Sequence, residues 1–202
     1  MDEIKANNFC LLRGYMAAVP RYSHSSGGED FYCFPLEVKR LSGTADTINI
    51  ISRSTLLDDV EVKGNSKLCI EGSLRSFNNK TGTGPKLVIT VFAKEMRFEN
   101  DDDENMIELK GTLCKPPSFR STPMGREICD LMLAVNRPYG RSDYLPCITW
   151  GQKAREAAQW DVGTNVFLNG RIQSRQYTKI IDGEYVEKTA YEVSVIDIQK
   201  YT

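Results

Sequence analysis

Apolar and polar residues alternate along much of this chain, the period-two pattern of strands that bury one face. In residues 105–114, Met106, Ile107, Leu109, Gly111 and Leu113 interleave with polar neighbours, and Pro116-Pro117 ends the run because proline cannot donate to a ladder. A loop follows over residues 118–126, held by Pro123 and by Gly125 at a turn. Residues 128–135 and 144–150 predict the second and third strands. After Gly151, residues 153–160 predict a short helix with Ala154, Ala157, Ala158 and Trp160 available for packing, and Gly163 closes it. Residues 166–174 and 190–198 predict strands four and five, with Asp182-Gly183 as a hairpin tip. Trp160 is expected in the core rather than at a surface.

The same order occurs earlier in the chain. Leu12-Arg13-Gly14 answers Leu109-Lys110-Gly111, and Leu36-Glu37-Val38-Lys39-Arg40 answers Leu133-Ala134-Val135-Asn136-Arg137. Residues 67–76 answer residues 165–174. A unit this long is a duplicated domain, since solenoid repeats run about 20–50 residues. Residues 7–98 carry a weaker helix around residues 56–60. The reading is all-β, with two tandem OB-folds: five-stranded Greek-key barrels, each with a short helix between strands three and four. The boundaries fall at residues 1–98, an acidic linker at 99–104, and residues 105–202.

Charge alters the picture once the chain is divided. The whole carries a formal charge of −1. Residues 105–202 have 13 Lys+Arg against 11 Asp+Glu, a balance of +2, and residues 1–104 have 13 against 16. Five of those 16 acids lie in residues 99–104, a run expected to be solvated. Six cysteines without a CxxC pair read as free, mostly buried thiols of a reducing compartment. One histidine and no ligand spacing argue against zinc. No apolar run approaches the ~20 residues of a membrane span. The N-terminus lacks the basic and apolar regions of a signal peptide.

Gly111-Thr112-Leu113, Phe119-Arg120-Ser121-Thr122-Pro123-Met124-Gly125, Leu133-Ala134-Val135-Asn136-Arg137, Trp150-Gly151 and residues 163–172 together resemble the bacterial single-stranded DNA-binding protein family. The resemblance covers nearly all of residues 105–198 and is scaffold-level only in residues 7–98. It implies OB-folds that coat single-stranded DNA by stacking bases on aromatics while cations track the backbone. It also implies the family's two-domain variant, a homodimer presenting four folds. The family's stacking positions fall here on Tyr139, Tyr144, Trp150 and Tyr177, three of them tyrosine where many members have tryptophan. Phe119 is an additional candidate. Lys110, Lys115, Arg120, Arg126, Arg137, Arg141, Arg171, Arg175 and Lys179 interleave with these rings, as a backbone-tracking groove requires. Between Lys110 and Arg141 six basic residues meet only Glu127 and Asp130.

The first copy lacks that aromatic set. Residues 40–43 and 48–52 replace the tyrosine-bearing loop and strand, leaving Tyr22, Arg75, Phe77 and a basic hairpin tip at residues 80–86. Its main role is expected to be assembly.

The expected function is non-enzymatic binding of single-stranded DNA in replication, recombination or repair. Replication or repair proteins are further partners, and the setting is the bacterial cytoplasm at the nucleoid. No catalytic residue, metal or cofactor is expected, because nuclease chemistry would need clustered carboxylates or a histidine base. The alternative is a primosome-type adaptor that docks proteins and binds nucleic acid weakly. In its favour, residues 198–202 carry no acidic tip of the kind by which family members recruit partners.

Overall fold

The computed structural model describes residues 7–58, 66–79, 87–181 and 183–201. The first repeat runs β1 (Asn8–Met16), β2 (Arg21–Ser26), β3 (Glu29–Lys39), β4 (Ala45–Arg53), α1 (Ser54–Asp58), β5 (Lys67–Asn78) and β6 (Leu87–Phe98). The second runs β7 (Glu104–Leu113), β8 (Ser118–Ser121), β9 (Glu127–Asn136), a 3-10 turn at Pro138–Gly140, β10 (Ser142–Trp150), α2 (Gly151–Ala157), β11 (Asn165–Ile181) and β12 (Glu184–Lys200). Strand order is β2-β3-β4-β6-β5-β1 in one repeat and β8-β9-β10-β12-β11-β7 in the other. Pairings β3–β1 and β7–β9 close the two barrels, and β4–β6 and β10–β12 are the parallel contacts. This is the OB-fold order, twice.

Two departures from the expected strands have simple causes. The loop expected at residues 118–126 begins with β8, a four-residue edge strand exposed on both faces, so no alternation marks it. The fourth and fifth strands are longer than expected. Pairing continues from Arg175↔Ala190 to Ile181↔Glu184 beyond the barrel, where none of the described side chains is fully buried and sequence periodicity is silent. Two compact units result. One contains Phe9–Arg75 and Ile89–Met106; the other contains Ile107–Thr202 with Met1–Asn8 and Ser76–Val88. The hairpin tip expected at residues 80–86, Val60 of the weak helix and Asp182 lie outside the described residues.

The glycines that open both repeats sit where each barrel closes. Thr112 and Leu113 pair with Ala134 and Leu133, and a Cβ on Gly111 would stand 2.5 Å from the Ala134 carbonyl oxygen. Gly14 meets the Glu37 carbonyl in the same way. Only glycine permits this approach of backbone to backbone. Gly111→Ala is expected to lower stability by about 1–3 kcal/mol, measured by denaturant melting. An unchanged midpoint would mean that β7 and β9 can separate freely.

Helix α2 packs on β9 and β10 through Ala154 and Ala157, both fully buried. Trp160 is buried beside it with the Lys200 ammonium 5.7 Å from its ring centroid, so it belongs to the core as expected. The acidic run is only partly solvated: Asp101 and Asp102 are exposed, but Glu99, Asp103 and Glu104 make ion pairs within the first compact unit. Among the described residues no helix is long and apolar enough to cross a membrane.

All six cysteines are free thiols. Burial pushes the Cys10 thiol up to about 12 and the Cys147 thiol upward as well. Cys33 and Cys114 are half-buried. Since the thiolate is the reactive form, an alkylating reagent at pH 8 is expected to modify Cys33 and Cys114 first, with Cys10 and Cys147 reacting only on unfolding. Mass mapping of partly alkylated native protein checks the order.

Candidate nucleic-acid interface

Strand register assembles the second repeat's candidate residues. In β10, Leu145, Cys147 and Thr149 face the core, so Tyr144, Pro146, Ile148 and Trp150 form the opposite row, on which Tyr144 and Trp150 are exposed and Ile148 is covered. Tyr144 is 50% exposed and Trp150 38%, enough to offer ring faces. Gly151, at φ +58°, turns the chain directly from Trp150 into α2. Ile148 lies beside Ser194 of β12, and Ser194 pairs with Arg171 of β11. Along β11 the same row continues through buried Gln173 to exposed Arg175 and half-buried Tyr177, opposite Glu192, Ala190 and Lys188. Tyr144, Trp150, Arg171, Arg175 and Tyr177 therefore lie on one side of the sheet, with Ile148, Ser194 and Gln173 buried between them. The Arg175 guanidinium lies 5.7 Å from the Tyr177 ring centroid.

The expected cations divide into two groups. Lys115, Arg126, Arg141 and Arg175 are exposed, Lys110 and Arg171 are half-buried, and none of the six makes an ion pair among the described residues. Arg120 and Arg137 are engaged. Arg120 holds Asp130 through two hydrogen bonds, at 2.7 and 3.3 Å.

Arg137 grips Asp143, which is fully buried, through a bidentate pair whose Nε–Oδ2 distance is 2.6 Å. Ser76, counted in the same compact unit, completes the knot. Its N–H donates to Asp143 Oδ1 at 2.6 Å, its carbonyl accepts from Arg137 at 3.1 Å, and its hydroxyl accepts the Tyr144 N–H at 2.6 Å. Arg137 thus positions the loop between Tyr144 and the 3-10 turn instead of reaching out as a mobile cation. Asp143 and Ser76 went unremarked in the sequence, although a signal was there. Arg40 and Asp46 stand at the matching offset in the first copy, and Asp46 too is fully buried under a bidentate arginine, at 2.6 and 2.5 Å.

Phe119 is 44% exposed but pairs with Cys129, in register with the core-facing Thr149, and so leaves the row of Tyr144 and Trp150. Tyr139 lies in the 3-10 turn and Lys179 in β11; the side chains of both are outside the described residues.

On the first repeat the row matching Tyr144–Trp150 reads Thr47, Asn49, Ile51 and Arg53, without a ring. Tertiary structure nevertheless gathers rings there from separate strands. His24 stacks on Phe31 at 4.8 Å and 10°, Phe31 lies 6.0 Å from Phe92, and Arg53 stands 5.4 Å over Phe92. Their faces are turned to one another, while Tyr22 is 59% exposed. Among the described residues no three His, Cys, Asp or Glu side chains converge as a metal site would require.

Residues 104–201 match the family described as "Single-strand binding protein family". A single-stranded DNA-binding protein of Halalkalibacterium halodurans is 34% identical over 80 residues, covering 36% of this chain and 48% of that protein. The one from Oceanobacillus iheyensis is 32% identical over 99 residues, covering 46% of this chain and 58% of that protein. The match spans about half the length of these curated relatives. The crystal structure of the wild-type single-stranded DNA binding protein from Thermus aquaticus superposes with a TM-score of 0.78 at 20% identity, covering 96% of this chain and 93% of that one. At that identity the likeness speaks for the fold, here across both repeats.

Proposed function

We propose that the protein binds single-stranded DNA without catalysis, protecting strands exposed in replication, recombination or repair, a reading supported by the match of residues 104–201 to the single-strand binding protein family. The observation that carries this reading is the side of the sheet on which Tyr144, Trp150 and Tyr177 lie with Arg171 and Arg175. Rings stack on any base and mobile cations follow the phosphates, so such a face binds single strands regardless of sequence. Each stacked base contributes roughly 1–3 kcal/mol by alanine substitution. The knot of Arg137, Asp143 and Ser76 supports the reading because it holds the backbone of Tyr144 in place before a strand arrives. Two repeats per chain suit a homodimer that offers four folds to one strand, since closed two-fold pairing is the commonest assembly.

The test is titration of fluorescent dT oligomers of graded length, together with a mass measurement of the free protein. Affinity is expected to rise with length to a plateau, and the free mass to be near twice the 22.8 kDa of one chain. Log K is expected to fall against log salt with a slope of about −0.7 for each phosphate contacted. A flat salt response would remove the backbone-tracking groove, and a clean monomer would remove the four-fold assembly.

A further inference from the structure

The first repeat carries a cationic strip that the chain covers with its own acids. On β1 and β5, Arg13 pairs with Cys69 and Tyr15 with Lys67, whose ammonium lies 5.1 Å from the Tyr15 ring centroid. Arg97 follows on β6. Residues 99–104 lie against this strip, within the same compact unit. Arg13 donates to the Asp102 carbonyl at 2.9 Å and stands 3.4 Å from Glu99 and 3.9 Å from Glu104. Lys67 lies 3.0 Å from Asp103, Arg97 lies 3.4 Å from Glu99, and the Lys39 N–H donates to Asp103 at 2.8 Å. Asp103 and Lys67 each keep only 12% of their side-chain exposure.

The second repeat is built differently at the same place. Arg13 corresponds to Lys110, which makes no ion pair among the described residues, and Lys67 corresponds to Asn165, which accepts from Thr112 at 2.8 Å. The covered strip is also not a well-satisfied clasp. Arg13 Nε is buried there without a hydrogen-bond partner, and Glu99 Oε2 has only the Arg97 guanidinium at 3.4 Å and no hydrogen bond, a cost that a purely structural contact would be expected to shed.

We infer that residues 99–104 act as a built-in charge mask. Glu99, Asp103 and Glu104 neutralise Arg13, Lys67 and Arg97, so that a single strand is steered onto the second repeat's face and kept off this one. The inference rests on the proposed binding of single-stranded DNA. Its physics is charge cancellation: three cations on one face attract a polyanion, and the same cations with three carboxylates against them do not. Proton affinities agree with the pairing. The hydrogen bond from Lys67 to Asp103 holds the ammonium above the ordinary lysine range, and the Cys69 thiol and Arg13 together hold Glu99 below the ordinary carboxylate range.

The experiment uses the full chain carrying Glu99→Gln, Asp103→Asn and Glu104→Gln, the three carboxylates that pair with the strip. Its control carries Asp58→Asn, Glu156→Gln and Asp161→Asn, three exposed acids on neither the cationic strip nor the strands of the proposed binding face, which change net charge by the same amount. At about 50 mM salt the unmasked chain is expected to bind long dT oligomers about tenfold more tightly than the control, with the gain shrinking at high salt. Its affinity should also keep rising with oligomer length past the wild-type plateau. Adding Lys67→Gln and Arg97→Gln should abolish the gain. Equal gains in the unmasked and control chains, or a gain that survives loss of Lys67 and Arg97, would overturn the mask. If the unmasked chain fails to melt cooperatively, Asp103→Asn alone is expected to give about a threefold gain, and no gain from it would overturn the mask. Failure of the wild-type chain to bind any oligomer would instead reject the functional reading, and the mask with it.

Discussion

The double variant Tyr144→Ala/Trp150→Ala is expected to lose about 2–6 kcal/mol of single-stranded DNA binding, from roughly thirtyfold to more than ten-thousandfold in Kd. Both rings are exposed on the same row of β10, so each can carry one base. Their Cα atoms are six residues apart on one strand, far enough for the two losses to add approximately. Tyr144→Phe keeps the ring and is expected to bind nearly as well as the unaltered chain. Equilibrium titration with dT oligomers, alongside thermal melts to establish folding, decides the matter. If Tyr144→Phe binds as poorly as Tyr144→Ala, the hydroxyl and not the ring is the active group. If the double variant binds as tightly as the native chain, the face has been wrongly identified.

The second large effect concerns the knot beneath that face. Asp143→Ala removes a fully buried carboxylate that takes two hydrogen bonds from Arg137 and one from the Ser76 N–H. The guanidinium left behind is only 24% exposed, so its lost partner is poorly replaced by water. Breaking such a pair costs about 3–5 kcal/mol, and the lower end applies because Arg137 keeps some solvent. A chain of this length should then melt roughly 6–12 °C lower. Asp46→Ala is expected to behave alike, since Arg40 holds Asp46 in the same geometry. A double-mutant cycle with Arg137→Met isolates the pair. Losses that merely add would show that the two side chains are not coupled.

Much of the architecture could be read directly because it rests on local periodicity. The alternation in residues 105–114 and 128–135 became β7 and β9, and the matching Leu-Arg-Gly and Leu-Lys-Gly triplets marked the barrel-closing glycines of both repeats. Period-two patterning and close-approach glycines are properties of a strand and its nearest neighbour, and a sequence states those. The ends of β11 and β12 are harder to read, because in a ribbon that leaves the barrel none of the described side chains is fully buried.

Side-chain roles depended on register, which no single stretch contains. Tyr144, Trp150, Arg171, Arg175 and Tyr177 share a face only because β10 and β12 run parallel at Cys147↔Val193, while Phe119 pairs onto the other row. Charge followed the same rule. Composition counts Arg137 and Arg120 as cations like any other, whereas the fold commits both to carboxylates. It counts residues 99–104 as a solvated run, whereas the fold lays Asp103 on Lys67. The sequence by itself determined the two repeats, their strands and the inventory of rings and cations. Tertiary structure alone decided which of those rings face solvent together and which charges are already spoken for, because both depend on residues brought together from distant strands.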